Sequence, residues 1–334
     1  METNDKYIKR CLQIAKNGLS AAMPNPSVGA VIVYSDMIIG EGFTSKYGGS
    51  HAEVNAINSV VDKTLLAKST LYVSLEPCSH FGKTPPCCYL IIDNKIPNVV
   101  IGITDSNSKV AGQGIKKLIE AGINVTVGIL EKECYESNIR FFTFHEKKRP
   151  YIILKWAETQ NGYIAPLTKN EQKPVWITNE YSRQLVHKWR SEEKAILVGT
   201  QTVIDDNPKL NVRNWSGKNP VRIVLDLKNR LPANSKVFSN DQKTIIINDK
   251  NINVKNNIAQ EIANFLQDQN IQSVIIEGGR HTIQTFIDGN IWDEARVFVS
   301  NTFFENGTKA PIINKSLKSE IKIFDDRLLI FKNE

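Results

Sequence analysis

Segments with helical periodicity alternate with short β-rich apolar runs along the whole chain, and this alternation restricts the fold to the α/β class. In the first half, the pattern predicts a hairpin from the run 28–34 and the run Met37–Phe43, joined at Ser35-Asp36. The other predicted elements of this half are helices over 6–18, 51–61 and 114–121 and from Pro86, and strands Thr70–Leu75, Asn98–Ile103 and Asn124–Val127. Helices placed between strands predict a parallel or mixed sheet that is covered on both faces.

A charged run that ends in proline, Glu146-Lys-Lys-Arg-Pro150, interrupts the alternation near the middle of the chain. Such a segment is typical of a domain boundary, and 334 residues suffice for two domains. We therefore place one domain at residues 1–146 and a second at residues 147–334. The pattern in the second predicts strands 151–157, 195–198, Val221–Leu225, Thr244–Ile247, Ser273–Ile276 and 295–300, and helices 179–189 and 257–267.

The charge is divided unequally between these domains. The formal net charge is +7, but residues 1–146 carry 14 Lys and Arg against 14 Asp and Glu, whereas residues 147–334 carry 28 against 21. A basic excess is typical of proteins that bind phosphate-bearing molecules, nucleic acid included. Because the first domain is neutral, we expect no nucleic-acid partner and expect phosphates to bind in the second domain.

The N-terminus and the cysteines indicate a cytoplasmic protein. Met1 is followed by a polar segment without the apolar core of a secretory signal, and no apolar run reaches the roughly 18 residues that cross a bilayer. We therefore expect no membrane partner. The five cysteines are an odd number and three of them cluster, which favours metal binding or catalysis over disulfides.

Three candidate zinc ligands occur in the first domain: His51 at the start of a predicted helix, Cys78 after the strand that ends at Leu75, and Cys87 after two prolines. One imidazole nitrogen and two thiolates supply three ligands for a tetrahedral Zn²⁺ and leave the fourth position for water. Glu53 is better suited to shuttle protons to and from that water than to act as a further ligand. The general zinc-deaminase pattern is H-x-E…P-C-x-x-C, and here eight residues instead of two separate the cysteines.

The segment between these cysteines resembles that of a known family. Glu76-Pro-Cys-Ser-His-Phe-Gly-Lys-Thr-Pro-Pro-Cys87, with Pro24-Asn-Pro-Ser-Val-Gly-Ala-Val-Ile-Val33 and His51-Ala-Glu53, resembles the bifunctional riboflavin-biosynthesis deaminase–reductase family. The resemblance implies a cytidine-deaminase-like α/β/α sandwich that hydrolyses the C2 amino group of 2,5-diamino-6-(5-phosphoribosylamino)pyrimidin-4(3H)-one. It also implies that His51, Cys78 and Cys87 bind zinc and that Glu53 shuttles the proton.

Four further residues near these motifs have two interpretations each. Cys88 is an alternative ligand to its neighbour, although the Pro-Pro-Cys match favours Cys87. His80 and Lys83 lie in the loop between the ligands, where they either solvate the loop or contact polar groups of the substrate. Asn25 either forms a turn or binds the edge of the pyrimidine.

The second domain lacks a G-x-G-x-x-G motif after a strand, so the pattern does not predict a Rossmann fold. Instead, Glu277-Gly-Gly279 follows an apolar strand that ends at Ile276. Small residues between a strand and a helix allow backbone N–H groups to approach a phosphate. By itself, a Gly-Gly pair is also common in ordinary turns.

Further motifs extend the family resemblance to the second domain. They are Trp176-Ile-Thr178, Arg190, Gly199, Thr202-Val203, Asp206 with Pro208-x-Leu210-x-x-Arg213, Pro220-x-Arg222-x-Val-Leu-Asp226 and Glu277-Gly-Gly279. The resemblance implies a dihydrofolate-reductase-like α/β domain that uses NADPH to reduce the ribosyl group to a ribityl chain. It implies cofactor contacts from Ala157, Trp176, Thr202, Asp206, Gly279, Arg280, His281 and Thr282, and substrate contacts from Arg190, Leu210, Arg213 and Glu277. A guanidinium binds phosphate bidentately, which suits Arg190 and Arg213 to the sugar phosphate.

The chain departs from the family pattern at three places. Thr159-Gln-Asn161-Gly162 has an amide where the family usually has a carboxylate, Pro174 stands where Ser is common, and Asp105-Ser-Asn-Ser108 replaces Asp-Pro-Asn-Pro. The change at Asn161 either tunes affinity or weakens the reductase. We expect an active reductase because the other motif positions are intact.

Two other functions fit part of the sequence. A nucleic-acid (tRNA) base deaminase with an accessory domain would share the zinc motifs, but it needs a basic surface around the deaminase pocket. A scaffold that keeps zinc only for structure needs a fourth protein ligand, for which Cys88 and His80 are the nearest residues. The family resemblance instead implies a homodimer, formed through the reductase domain, with a small phosphoribosylaminopyrimidine as its substrate.

Overall fold

The computed structural model describes residues 3–81, 85–106, 112–169 and 171–333, and the chain divides into two compact units. The first unit is Met1–Lys147 and the second is Lys148–Glu334. Each unit contains one main sheet with helices between its strands, which confirms the predicted α/β class. A search of the described residues finds no helix with the length and hydropathy that crossing a membrane requires.

The first unit contains seven helices and five strands within its described residues. The helices are α1 (Thr3–Ala15), α2 (Leu19–Ala22), α3 (Ala52–Ser59), α4 (Cys87–Asp93), α5 (Gln113–Glu120), α6 (Glu131–Ser137) and α7 (Ile139–Glu146). The strands are β1 (Gly29–Tyr34), β2 (Met37–Phe43), β3 (Thr70–Leu75), β4 (Asn98–Ile103) and β5 (Asn124–Val127). Two short 3₁₀ segments, Lys16–Gly18 and Lys63–Lys68, complete the unit.

The sheet of this unit has the order β2-β1-β3-β4-β5 and is mixed. Strands β1 and β2 form the predicted hairpin, and Ser35 (φ 47°) and Asp36 (φ 61°) adopt the left-handed conformations that a two-residue type I′ turn requires. Strands β3, β4 and β5 are parallel. All but the first residue of β3 and of β4 are buried. Because successive side chains point to opposite faces, such runs show that both faces are covered.

The second unit contains four helices and ten strands within its described residues. The helices are α8 (Glu180–Glu192), α9 (Thr200–Asp206), α10 (Ile258–Asp268) and α11 (Arg280–Asp288), with one 3₁₀ segment, Lys236–Phe238. The strands are β6 (Tyr151–Thr159), β7 (Tyr163–Pro166), β8 (Ala195–Gly199), β9 (Val221–Leu225), β10 (Thr244–Ile247), β11 (Ser273–Ile276), β12 (Glu294–Ser300), β13 (Gly307–Lys309), β14 (Leu317–Ile323) and β15 (Asp326–Lys332).

Eight of these strands form one sheet in the order β10-β9-β8-β11-β6-β12-β15-β14. The six from β10 to β12 are parallel, and the β14–β15 hairpin adds two antiparallel strands. The carboxyl ends of the parallel strands therefore lie at one edge, where ligands bind in open α/β sheets.

The predicted elements agree with the observed bounds to within three residues. The pattern did not predict α2, α6, α7, α9, α11, β7, β13, β14 or β15. Strand β14 lies at the edge of the sheet, and its residues are exposed except for the half-buried Ile323, although Leu317, Ile321 and Ile323 alternate with Lys318, Glu320 and Lys322.

Candidate functional sites

The three predicted zinc ligands converge at one point of the first unit. His51 is the N-cap residue of α3, Cys87 is the first residue of α4, and Cys78 follows the carboxyl end of β3. His51 Nδ1 lies 3.5 Å from Cys78 Sγ and 3.3 Å from Cys87 Sγ. The Cys87 backbone N–H also donates to Cys78 Sγ over 3.3 Å, an interaction that stabilises a thiolate.

This donor set fits zinc. With Zn–S near 2.3 Å and Zn–N near 2.0 Å, a tetrahedral ion needs its nitrogen and sulfur ligands about 3.5 Å apart, and the two observed N···S distances lie within a few tenths of that. In the part of the chain that the structure describes, the cluster contains these three donors only. Cys88 packs into the hydrophobic core instead. Three protein ligands leave a coordination position for a small molecule, as in catalytic zinc sites.

Glu53 lies in the first turn of α3 and is buried beside the ligands. Burial raises the pKa of this carboxyl to about 7. The pKa of the Cys78 thiol is lowered, because Cys87 and His51 hydrogen-bond to its thiolate. The site thus holds a proton-carrying side chain next to an acidic thiol.

A second group of contacts, which was not expected from the sequence, holds the segment that contains the zinc ligand Cys78. The buried Glu76 carboxylate accepts hydrogen bonds from the backbone N–H groups of Gly112 (3.0 Å) and Gly114 (2.9 Å). The Lys117 ammonium donates to the Ser79 carbonyl over 3.0 Å. Because Glu76 and Ser79 flank Pro77 and Cys78, helix α5 holds this segment at both ends. The position of Glu76 directly before the Pro-Cys pair was the available sequence indication.

Asn25 and His80 were also predicted to contact the substrate, but no described contact joins either residue to the three zinc ligands. Asn25 is half-buried in the turn after Pro24, and its N–H donates to the Ala22 carbonyl over 2.9 Å. His80 is exposed. Lys83 lies outside the described residues.

The second unit contains a cavity of about 1330 Å³ at the carboxyl edge of its parallel strands. Every residue that the family resemblance implied for cofactor or substrate lines it: Ala157, Trp176, Arg190, Thr202, Asp206, Leu210, Arg213, Glu277, Gly279, Arg280, His281 and Thr282. The lining includes eleven Lys and Arg but only three Asp and Glu. A cavity of this size and charge suits two phosphate-bearing molecules.

A buried cluster of three charges forms the floor of this cavity. Arg190 binds Glu277 through Nε and Nη2, both at 2.8 Å, and Lys155 Nζ lies 3.3 Å from the same carboxylate. Although burial alone would raise it, the two cations lower the pKa of Glu277 to about 2. Burial also lowers the pKa of Lys155. Arg190 is therefore already matched by a carboxylate rather than open to a phosphate alone.

Arg213 and Arg183 differ from Arg190, because among the described residues neither forms an ion pair with a carboxylate. Both guanidinium groups lie against the Trp176 ring, at 5.9 Å and 5.1 Å from its centroid. Burial and the charge of Arg190 lower the pKa of Arg213. This unmatched positive charge makes the Arg213 end of the cavity suitable for an anionic group.

The Gly278-Gly279 turn brings backbone close to the cavity. Gly279 is the N-cap of α11, and its N–H donates to Thr202 Oγ1 over 3.0 Å. A Cβ on Gly199 would lie 2.5 Å from Thr282 Oγ1, so a side chain there would push α11 away from β8. A helix N-terminus held this close to the cavity is a phosphate-binding geometry.

Asn161 does not line the cavity. Its side chain lies in the β6–β7 turn, where Nδ2 donates to the Phe304 carbonyl over 2.7 Å and Oδ1 accepts from Thr159 over 2.7 Å. The amide therefore serves the turn itself.

Lys155 and His187 are among the cavity residues that were not identified from the sequence. Lys155 lies two residues before Ala157 on β6, so strand alternation places both on one face. His187 precedes Arg190 by one helical turn. Burial lowers the pKa of His187 to about 4. These spacings were visible in the sequence, but only the packing shows which face borders the cavity.

Comparisons with known proteins agree with this two-site arrangement. Residues 150–320 match the RibD C-terminal domain, and residues 1–103 match the cytidine and deoxycytidylate deaminase zinc-binding region. The chain is 38% identical to the riboflavin biosynthesis protein RibD of Aquifex aeolicus, across 96% of this chain and 94% of that one.

Solved structures give the same result. A diaminohydroxyphosphoribosylaminopyrimidine deaminase/5-amino-6-(5-phosphoribosylamino)uracil reductase from Thermotoga maritima matches with a TM-score of 0.90 at 34% identity, covering 99% of this chain and 98% of that one. RibD of Acinetobacter baumannii matches with a TM-score of 0.87 at 30% identity and the same coverage. Because these likenesses extend over both units, a nucleic-acid deaminase with an accessory domain is not favoured.

Proposed function

The chain belongs to the RibD family of bifunctional riboflavin-biosynthesis enzymes and joins a deaminase unit to a pyrimidine reductase unit, and from this membership we propose its substrate, its reductant and the roles of its residues. The first unit hydrolyses the 2-amino group of 2,5-diamino-6-(5-phosphoribosylamino)pyrimidin-4(3H)-one. The second unit then reduces the ribosyl group of the product to a ribityl chain with NADPH. The name of the Thermotoga maritima relative describes these two activities.

In the deaminase unit, His51, Cys78 and Cys87 would hold the zinc, which would supply a Lewis acid that lowers the pKa of the attacking water. The Glu53 carboxylate accepts the proton that this water loses and delivers it to the departing amine. The C2–N bond breaks and ammonia leaves, while the hydroxyl proton of the adduct passes to the neighbouring ring nitrogen, so that the oxygen remains on C2 as a carbonyl. Asn25, His80 and Lys83 are proposed contacts for polar groups of the pyrimidine.

In the reductase unit, NADPH would supply the hydride that is added to C1′ of the opened ribosyl group, and solvent or the substrate would supply the accompanying proton. The turn at Gly279–Thr282 holds the cofactor pyrophosphate on backbone N–H groups, and Ala157, Trp176, Thr202 and Asp206 form the rest of its wall.

Arg213 holds the sugar phosphate, and Leu210 forms the wall beside it in a left-handed conformation (φ 53°). Glu277 contacts the substrate from the floor of the cavity, where Arg190 and Lys155 keep it ionised. The single observation that supports this half most strongly is that all twelve implied residues border one basic cavity.

One assay tests both halves. The purified chain is incubated with the diaminopyrimidinone substrate, and ammonia release and NADPH oxidation are followed together, with and without NADPH. We expect ammonia in both cases and NADPH oxidation only after deamination. Ammonia release without NADPH oxidation would contradict the proposed reductase, and the absence of both would contradict the substrate.

The matched variant for the deaminase half is Glu53→Gln. Loss of a positioned general acid–base lowers a rate by about 10²–10⁴-fold, so ammonia release should fall by that factor while bound zinc stays stoichiometric. Glu120→Gln, an exposed glutamate of α5, is the control and should behave as wild type. Unchanged ammonia release by Glu53→Gln would refute its role as proton shuttle.

We also propose a homodimer in the cytoplasm. Strand β14 is the last strand of the eight-stranded sheet and exposes Leu317 and Ile321, with Phe324 exposed in the following turn. Exposed apolar side chains on an edge strand favour pairing with a second copy, although Lys318, Glu320 and Lys322 on the same strand oppose it. Light scattering should give twice the chain mass for wild type and the chain mass for Ile321→Lys. The five free cysteines fit a reducing compartment.

A further inference from the structure

One lysine of α5 makes two contacts to which the roles proposed above assign nothing. Lys117 Nζ donates to the Ser79 carbonyl over 3.0 Å and to the Tyr89 hydroxyl over 2.9 Å. The ammonium also lies 4.7 Å from the centroid of the Tyr89 ring. Ser79 directly follows the ligand Cys78, and Tyr89 lies two residues after the ligand Cys87. A single side chain therefore bridges the two segments that carry the thiolate ligands.

The connecting chain does not by itself hold these two cysteines together. In the general zinc-deaminase pattern two residues separate the cysteines, so one short turn carries both ligands. Here eight residues separate Cys78 from Cys87, and closing a longer loop costs more conformational entropy. Contacts between the two segments have to supply the restraint that a short turn would give.

The backbone contacts between the two segments are long. The Cys88 N–H donates to the Cys78 carbonyl over 3.2 Å, which is the upper end of the usual range for N–H···O hydrogen bonds. The Cys87 N–H donates to Cys78 Sγ over 3.3 Å. Both contacts of the Lys117 ammonium are shorter, and a charged donor forms a hydrogen bond about twice as strong as a neutral one. The Lys117 bridge is therefore a strong restraint at this junction.

The surroundings of Lys117 allow it to act as a fixed bridge. Its side chain is half-buried, whereas that of the neighbouring Lys116 is exposed. The start of α5 is anchored, because Glu76 accepts hydrogen bonds from the backbone N–H groups of Gly112 and Gly114. Ser79 is only 7% exposed, and a buried carbonyl that loses its donor destabilises the segment to which it belongs.

We propose that Lys117 is a positioning residue of the zinc site, which fixes the separation of the Cys78 and Cys87 thiolates and slows the loss of the metal. This inference rests on the proposed zinc site of the deaminase unit. Lys117 acts through the backbone of Ser79 and the side chain of Tyr89, and it needs no contact with the metal or with the pyrimidine.

The first test is the rate at which the full chain releases zinc to a chromophoric chelator. Loss of groups that orient metal ligands lowers metal affinity by about 10–100-fold. Because Lys117 acts one contact further from the ligands, we expect Lys117→Met to release zinc about tenfold faster than wild type. Lys116→Met removes one charge from the exposed face of the same helix and should release zinc at the wild-type rate.

The spectrum of the cobalt-loaded protein separates positioning from a general loosening of the unit. The d–d and thiolate-to-cobalt bands of Co²⁺ depend on the geometry of its ligands. We expect Lys117→Met to shift these bands, and Lys117→Arg, which retains a cationic donor, to restore the wild-type spectrum and most of the zinc retention. A wild-type spectrum in Lys117→Met, together with wild-type zinc release, would overturn the proposal.

A double-mutant cycle tests whether Lys117 acts through Tyr89. Tyr89→Phe removes the hydroxyl but keeps the ring beneath the ammonium, so it should accelerate zinc release less than Lys117→Met does. The change should have no further effect in the Lys117→Met background, because the contact is already lost. Fully additive effects would overturn the bridge. A wild type that binds no zinc would refute the zinc site itself, whereas equal zinc release by wild type and Lys117→Met would refute only the role of Lys117.

Discussion

The guanidinium of Arg190 and the carboxylate of Glu277 face each other in a bidentate ion pair, with both N···O distances at 2.8 Å. Lys155 shares the same carboxylate, so one anion holds two buried cations at the floor of the reductase cavity. Arg190 and Arg213, which the sequence predicted to bind phosphate, therefore have different surroundings. Arg190 orients Glu277, and Arg213 carries the unmatched charge.

Glu277→Gln should impair the reductase while sparing the deaminase. Removal of one partner from a buried ion pair costs about 3–5 kcal/mol, because the remaining charge is left uncompensated. We expect NADPH oxidation to be lost, ammonia release to be retained, and the free energy of unfolding of the second unit to fall. All five tryptophans lie in that unit, so tryptophan fluorescence during urea unfolding measures its stability.

The control for this variant is Glu192→Gln, which breaks a partly exposed ion pair with Lys188 on α8. Exposed pairs contribute about 0–1 kcal/mol, so this change should leave both activity and stability almost unaltered. Equal effects of the two substitutions would show that burial of Glu277 has no energetic consequence.

Cys87→Ala and Cys88→Ala should separate the ligand from its neighbour. Cys87 lies 3.3 Å from His51 Nδ1, whereas Cys88 packs in the core. We expect the metal content of purified protein, measured by mass spectrometry, to fall from one zinc to nearly none for Cys87→Ala and to remain one for Cys88→Ala. Ammonia release should be lost in the variant that loses zinc and retained in the variant that keeps it. Zinc loss in Cys88→Ala with retention in Cys87→Ala would reverse the assignment.

The zinc ligands could be predicted from the sequence because each lies beside a recognisable local feature: a helix start for His51, a strand end for Cys78 and a Pro-Pro pair for Cys87. Lys155 lies beside no such local feature. Its place beside Glu277 depends on the pairing of β6 with β11, over 120 residues apart in sequence, and strand alternation does not tell which face borders a cavity. The periodicity and spacing of the sequence carry no information about long-range packing of this kind.

The stability of the second unit should decrease as the pH falls from about 6.5 to 4. In an unfolded chain a histidine titrates near pH 6.5, whereas burial lowers the pKa of His187 to about 4 in the fold. Between these values the unfolded state binds a proton that the folded state excludes, so unfolding becomes more favourable. Tryptophan-monitored urea unfolding at pH 7 and pH 5 measures the difference.

His187→Gln removes the titrating group and should reduce this dependence on pH. His281→Gln, a substitution of an exposed histidine in the same unit, serves as the comparison and should keep the wild-type difference. If His187→Gln retains the full loss of stability between pH 7 and pH 5, another group is responsible.

Gly114→Ala should disable the zinc site although it lies outside it. Gly114 is in the first turn of α5, and a Cβ there would lie 2.0 Å from the Pro77 carbonyl oxygen and 3.2 Å from Glu76 Oε1. Alanine favours a helix over glycine by about 1 kcal/mol, so propensity alone would stabilise α5. The clash is with the backbone directly before Cys78, so the segment that carries this ligand is displaced relative to α5. We expect lower zinc content and lower ammonia release, with normal NADPH oxidation when the deaminated pyrimidine is supplied directly.

Lys116→Ala, an exposed change in the same helix, should leave zinc binding intact. Full metal content and normal ammonia release in Gly114→Ala would show that α5 moves without displacing Cys78.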